Sequence, residues 1–561
     1  MSVGRREFII GSVGVAASSQ LLGGCSDDSG DKGPLGPDGG TPGEQVNTAL
    51  FAHGVASGDP LADAVILWTR VSVVDGANVE LGWLVSKDPL LTSPVKSGTI
   101  TATSDADFTA KVDVTGLEAG TTYYYAFSAA GRGRSVTGRT RTLPTHLDHA
   151  RIAFTSCANY QNGYFSAYRA LAARNDLDVW LHLGDYIYEY KAGEYADATL
   201  AAVRSHVPTK EAVTLADYRG RYAQYRTDAD LLALHRQHPL IAVWDDHEFA
   251  NNAYVGGAEN HDPDQGEGDW TERKRAASRA FREWLPIRVV DADPVPKISR
   301  SFKFGELFDL IMLDTRILAR DKQTGDDSTF GDVGTDPAAW ADPKRHIIGA
   351  EQEAWLLNEL TQSSARGARW RLIGNQVIFS QGRNPLDSMD PHGIIYSDFW
   401  DGYQADRNGV IDGILQGGIK NVVFLTGDIH SSWAFEISKN PFDKAIYDPA
   451  AGLNGFAIEL VGPSVTSLAL EDDPGNAMAA PVLLPTVNPH LRFSEFTRKG
   501  YVLLDVTNER LQAEWWFVTQ FKAPNDAAEV LGKAYTCQQS AALLVETTTA
   551  TPPKDAPPLI A

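Results

Sequence analysis

Leu240-Ile241-Ala242-Val243-Trp244-Asp245-Asp246-His247-Glu248 is an apolar run that stops abruptly in two carboxylates, an imidazole and a third carboxylate. A run of this kind reads as a buried strand whose end delivers acid/base or metal-binding groups to a sheet edge, where α/β proteins place their chemistry. Three other apolar runs end in the same way. They lead into Ser156-Cys157-Ala158-Asn159, into Gly184-Asp185-Tyr186-Ile187-Tyr188-Glu189 and into Gly427-Asp428-Ile429-His430-Ser431. Taken singly, each has a plain structural reading: a Gly-Asp pair closes a turn, a cysteine fills a core, a histidine is hydrogen-bonded inside it. Four such termini on successive core strands point instead to a metal-dependent hydrolase.

Outward from these termini, apolar runs alternate with amphipathic stretches. Strands are predicted at 151–156, 179–183, 307–313, 370–373 and 422–426, and helices at 165–174, 215–237, 270–285 and 350–363. This alternation implies a sheet covered by helices on both faces, an α/β fold. Beyond His430 the runs at 434–438, 456–461, 501–506 and 511–518 read as strands that complete a second sheet of the same domain. Ahead of it, short β-like runs separated by turns suggest a small all-β immunoglobulin- or fibronectin III-like sandwich. Within that region Gly116-Leu117-Glu118-Ala119-Gly120-Thr121-Thr122-Tyr123 resembles a tyrosine-corner segment.

A chain of 561 residues suggests about two or three domains, and 43% hydrophobic with 22% charged residues is ordinary for a globular protein. The net charge of −22 argues against nucleic-acid binding through basic patches. Gly4-Arg5-Arg6-Glu7-Phe8-Ile9 carries the paired arginines of a bacterial export signal, followed by an apolar stretch too short for a membrane span. The expected partner is the twin-arginine export machinery. Leu22-Gly23-Gly24-Cys25 resembles a lipobox, which predicts acylation of Cys25 and an anchor at a membrane surface. The expected location is therefore periplasmic or cell-surface. Ordinary cleavage nearby is the alternative. Cys157 and Cys537 could in turn pair as a disulfide in an oxidising compartment.

The motifs at 184–189 and 244–248, together with Phe51-Ala52-His53-Gly54-Val55-Ala56-Ser57-Gly58-Asp59-Pro60, Leu313-Asp314-Thr315-Arg316, Gly374-Asn375-Gln376-Val377 and Trp400-Asp401-Gly402-Tyr403, resemble the PhoD family of alkaline phosphatases and phosphodiesterases. That family is a branch of the calcineurin-like metallophosphoesterases. The resemblance implies an αββα sandwich of two mixed sheets flanked by helices, with iron and calcium between the sheets. Taken with motif and composition at the two ends, the resemblance divides the chain into a twin-arginine lipoprotein-type signal (1–25), a flexible Gly/Pro/Asp linker (26–46), a β-sandwich domain (47–146), a metallophosphatase domain (147–545) and a disordered tail (546–561).

Ligand chemistry agrees with that implication. The thiolate of Cys157, the phenolate of Tyr188, the imidazole of His430 and the carboxylate of Asp185 suit Fe3+. Asp185, Asp246, Asp428 and Asn375 offer only oxygens, which favours Ca2+, although Mn2+ or Mg2+ also accepts such ligands. Asp428 stands where related enzymes carry the first histidine of a Gly-His-x-His motif, a change toward oxygen. The implied activity is hydrolysis of a small phosphomonoester or phosphodiester by a metal-activated hydroxide attacking in line. Asp246 and His247 are the expected catalytic residues, with His247 protonating the leaving group and Asp245 orienting it. The alternatives are a phospholipase D-type diesterase and, from a different class, a non-catalytic metal-binding surface lipoprotein.

Overall fold

A computed structural model of the chain describes residues 44–73, 76–289, 291–324, 337–384, 394–470, 474–524 and 528–560. The expected signal with Cys25, and the linker up to residue 43, lie outside the described residues. The last linker residues are part of the fold, because Arg134 N donates to Gln45 O at 3.0 Å and Gly131 N to Glu44 Oε1 at 3.2 Å. No helix among the described residues is long and apolar enough to cross a membrane.

Two large mixed sheets pack face to face. In one, the strands His149–Thr155, Val179–His182 and Leu240–Ala242 run parallel as neighbours. In the other, Phe308–Met312, Trp370–Asn375, Val422–Thr426 and Ala457–Val461 do the same. Strand alternation assigns each side chain to a layer. Val423 and Leu425 join Phe154, Leu181 and Ile241 in the core between the sheets. Val422 and Phe424 point the other way, against Leu356, Leu360, Val410 and Ile414 of the helices Gly349–Ala365 and Gln404–Gln416. The helices Ser166–Ala172, Leu215–Tyr225, Ala229–Gln237 and Trp270–Trp284 bury Leu171, Tyr222, Leu234 and Phe281 in the core that includes the first sheet. This is the αββα architecture.

Several expectations are corrected. The helix predicted over 215–237 is two helices, because Asp228 caps the second by accepting from Asp230 N and Leu231 N. The strands after His430 divide between the sheets: Ser432–Ile437, Ala457–Val461 and Leu491–Glu495 join the second, while Gly500–Thr507, Arg510–Val518 and Glu529–Gln538 extend the first. Apolar periodicity identifies a strand but carries no information about its partner. The front module has its own core of Val65, Leu67, Leu81, Val85, Tyr125 and Phe127, and Glu118 N donates to Tyr123 Oη at 2.9 Å as in a tyrosine corner. One of its two layers, however, is no separate sheet. Val55–Gly58, Ala64–Arg70 and Thr109–Thr115 continue the first large sheet through the Gly58–Leu240 pair. A Cβ at Gly58 would lie 2.4 Å from Pro286 O and 2.6 Å from Leu240 O, so only glycine permits the join.

The C-terminal stretch expected to be disordered is instead bound along the surface. Thr551 N donates to Glu514 Oε1 at 2.5 Å, Arg151 donates to Pro552 O at 3.1 Å, and Lys554 pairs with the buried Asp178. Gln237 and Ile560 exchange hydrogen bonds of 2.8 and 3.1 Å. Proline-rich composition disfavours helix and sheet, yet an extended strap can still satisfy buried charges that composition does not reveal.

Candidate metal centre

The ends at Asp185, Asp246 and Asp428 line one cleft of about 640 Å³, and the end at Cys157 lies buried beside Asp185 and His430. Three belong to adjacent parallel strands of the first sheet and the fourth to the facing sheet, so their C-terminal ends converge. Three of the ends turn through left-handed residues. Cys157, Asp185, Asp428 and His430 all adopt left-handed backbone conformations, with φ of 61°, 56°, 64° and 58°. Non-glycine residues adopt this region at a cost, and such strain concentrates at functional sites. Gly184, at φ 110°, lets the second turn approach the third; a Cβ there would sit 2.3 Å from Asp245 Cβ.

The turns assemble three overlapping groups whose ligand-type atoms lie within 4.8 Å of one another: Cys157, Asp185 and His430; Asp185, Asp246 and His247; and Asp245, Asp246 and Asp428. Tyr188 joins the first group. Its hydroxyl donates to Asp185 Oδ2 at 2.9 Å and lies 3.1 Å from His430 Nε2. His430 Nδ1 is 2.7 Å from Leu468 O, which assigns the proton to Nδ1 and leaves Nε2 as a lone pair facing the group.

Asn375 is not brought in. Its amide nitrogen donates to Val377 O at 2.5 Å and its oxygen accepts from Trp400 Nε1 at 3.1 Å, so it ties the core together behind the cleft. Nor does Asp245 orient His247. Glu189 does, with Oε2 at 2.8 Å from His247 Nδ1 and Oε1 accepting from Asn251 N and Asn260 Nδ2. Glu248 is a clamp between turns, accepting from the backbone N–H groups of Asp185, Tyr186 and Asp245 at 3.0, 2.7 and 2.8 Å. Cys157 and Cys537 are both free thiols, which removes the disulfide reading. His182 is a core residue 2.9 Å from Tyr168 Oη.

Sequence reading passed over Arg316 and Asp398. The guanidinium of Arg316 is fully buried and reaches Asp245 at 2.5 Å, Asp428 at 2.5 Å and Asp398 at 2.9 Å, with Asp246 at 3.9 Å. Asp314 aims it, accepting from Arg316 N and Ile317 N at 2.9 Å in an Asx turn. The Leu313-Asp314-Thr315-Arg316 segment was the available signal.

The donor set fits metal ions. Asp245, Asp246, Asp398 and Asp428 crowd around one guanidinium with Asp185 beside Asp246, and Asp245 Oδ2 is buried without a hydrogen-bond partner. Burial, reinforced by the neighbouring carboxylates, pushes Asp185 and Asp428 well above the usual range and Asp245 up to about 6. Burial also lifts Glu248 to about 8. It opposes charge on His247 too, but Asp246, Glu189 and Asp185 outweigh it and hold the imidazolium well above its ordinary value. Negative charge thus exceeds what the protein alone neutralises.

These shifts predict how the metal-free protein responds to pH. Burial depresses eight histidines, with His53, His182, His238 and His430 near 3, His490 near 4, His206 and His235 well below 6.5, and His261 lowered as well. Below pH 6.5 the unfolded chain binds the protons that these residues refuse when folded, so stability falls on acidification. The raised groups act with the opposite sign, the carboxylates from their unfolded values near 4 upward and His247 from 6.5 upward. Asp185, Asp428, Glu248 and His247 retain protons in the fold that the unfolded chain has released, so stability falls as pH rises through their folded values. Calorimetry of chelator-treated protein should find a melting maximum near neutrality. Metal loading should abolish the alkaline decline, because cations then replace the retained protons.

Comparison with known proteins places this geometry among phosphatases. A family model described as PhoD-like phosphatase matches residues 152–515, and one described as its N-terminal domain matches residues 39–144. Alkaline phosphatase D of Bacillus subtilis (strain 168) is 36% identical over 485 residues, covering 83% of this chain and 77% of the relative. A solved structure of PhoD superposes with a TM-score of 0.78 at 34% identity, over 90% of this chain and 93% of that one. The purple acid phosphatase PPD1 from yellow lupin seeds shares the fold at 12% identity, with a TM-score of 0.52 over 89% of this chain and 77% of that one.

Proposed function

The chain belongs to the PhoD-like phosphatase family and is a phosphatase of the PhoD type, and from that premise we propose that it is an exported, metal-dependent phosphoric ester hydrolase. The observation that carries the reading is the convergence of four strand ends, three of them through left-handed backbone turns, into interlocking ligand groups at one cleft. Cys157, Tyr188, His430 and Asp185 would hold Fe3+, and Asp185, Asp246 and Asp428 would hold Ca2+, with Asp185 common to both. When bound, the metals supply Lewis acidity toward phosphoryl oxygens and an activated water for in-line attack on phosphorus.

The protein's own groups do the rest. His247 lines the cleft, held through Nδ1 by Glu189 so that Nε2 carries a proton for the leaving alkoxide. Arg316 limits repulsion among the carboxylates and keeps Asp428 and Asp245 fixed. Export by the twin-arginine route and acylation at Cys25 complete the proposal, as do the unit boundaries at residues 25, 46 and 146.

A lipid-type diesterase is a second reading, favoured by the apolar side of the cleft, where Ile429, Leu468, Leu470, Phe399 and Phe496 face the acidic groups. The test is metal analysis of natively exported protein, paired with hydrolysis of p-nitrophenyl phosphate, its bis ester and a phosphatidylcholine dispersion. Iron and calcium with ester hydrolysis lost on chelation and regained on reloading is the expected result. Metal-replete protein that cleaves none of the three would instead support a non-catalytic surface lipoprotein.

A further inference from the structure

The proposed iron ligands come from three distant parts of the chain, yet one short segment touches all but one of them. Thr466 N and Ser467 N donate to Cys157 O at 3.3 and 3.2 Å, and Ser467 Oγ lies 2.9 Å from the same oxygen. Ser467 Oγ is also 2.7 Å from Tyr188 Oη. The next residue supplies Leu468 O, 2.7 Å from His430 Nδ1. The segment is itself braced: Ser467 O accepts from Ser464 Oγ at 2.7 Å and from the buried Lys499 Nζ at 2.6 Å, and Val465 N donates to Ser156 O at 3.0 Å.

We propose that Ser467 is a positioning residue for the metal centre, its hydroxyl fixing the phenolic oxygen of Tyr188 while its backbone fixes the turn that carries Cys157. This deepens the iron reading above and rests on it for the ligand roles. A serine hydroxyl has one proton, and two acceptors compete for it, Cys157 O and Tyr188 Oη. Tyr188 gives up its own proton on becoming a ligand, so its oxygen becomes the stronger acceptor and draws the Ser467 proton. Such a bond holds the oxygen in place and lowers the energy of its lone pairs. Groups in this outer position commonly change metal affinity by about 10–100-fold when removed.

The test compares full-length wild type with Ser467→Ala, Ser467→Thr and Ser467→Cys by two readouts. In iron-loaded protein, loss of the hydroxyl should move the visible phenolate-to-iron absorption to longer wavelength, with Ser467→Thr restoring it and Ser467→Cys, a weak donor, falling between. In chelator-treated protein titrated with cobalt(II), the affinity read from thiolate-to-cobalt absorption should drop about 10–100-fold in Ser467→Ala and recover in Ser467→Thr. An unmoved band together with an unchanged cobalt affinity in a folded variant overturns the proposal. A wild type without the visible band would sink the iron reading alone, and the cobalt titration would then decide the role of Ser467. Should Ser467→Ala not fold, Ser467→Cys carries both readouts.

Discussion

Replacing His247 with alanine is expected to lower turnover by about 10²–10⁴-fold while the metals stay bound. The imidazole is held from behind by Glu189 at 2.8 Å, packs at 4.1 Å between ring centroids on Tyr188, and lines the cleft beside Asp185 and Asp246. Its neighbours favour the protonated form, which is the form a departing alkoxide requires. The size of the loss should depend on the leaving group. A nitrophenolate departs readily without a proton, so p-nitrophenyl phosphate should show the low end of the range; an alkyl phosphate needs the proton and should show the high end. Equal losses on both, with metal content preserved, would assign His247 to phosphate binding, and no loss would remove it from the reaction. Glu189→Gln should reproduce part of the effect, whereas Asp245→Asn should not act through His247, since Asp245 faces Arg316 instead.

Arg316→Ala is expected to destabilise the metal-free protein, by about 3–5 kcal/mol at alkaline pH where the buried carboxyls it faces are ionised and by less where they take up protons instead. Asp245 and Asp428 lose their 2.5 Å partner outright, while Asp398 retains Arg320. Urea unfolding in the presence of chelator measures the loss. Calcium should shrink it, since a cation among the same carboxylates supplies the missing charge. Arg316→Lys should not rescue fully, as an ammonium on a flexible stem cannot span three carboxylates held apart by separate turns. Equal stability of the chelated variant and wild type would refute this account of the ion-pair cluster.

The parts of the site that were legible in the sequence are those in which chemistry follows directly from a strand. Apolar runs of β-branched and aliphatic residues announce where Cys157, Asp185, Asp246 and Asp428 leave a sheet. Arg316, Asp398 and Ser467 sit on irregular segments whose direction is set by Asx turns and side-chain contacts, and no periodicity marks them. Asp245 and Glu189 show the limit most clearly. Both are acidic and close in sequence to the motif histidine or tyrosine, but adjacent residues in a turn face different ways, and only the fold decides which carboxylate meets His247. Asn375 failed for a related reason: it does end a core strand, but Trp400 and Val377 claim its amide from behind. The division of the late strands between two sheets and the docking of the C-terminal strap depend on partners hundreds of residues away.

The left-handed turns at three of the strand ends also bear on how readily one metal can be exchanged for another. Their unfavourable φ values are present without any ion and are enforced by strand pairing, the Glu248 clamp and the segment around Ser467. An ion entering the cleft therefore meets ligands already in place and has little backbone to rearrange. Occupancy then reflects which cations the surroundings offer as much as which the ligands prefer. Exchange of an ion at the oxygen-rich group should therefore leave the backbone unchanged.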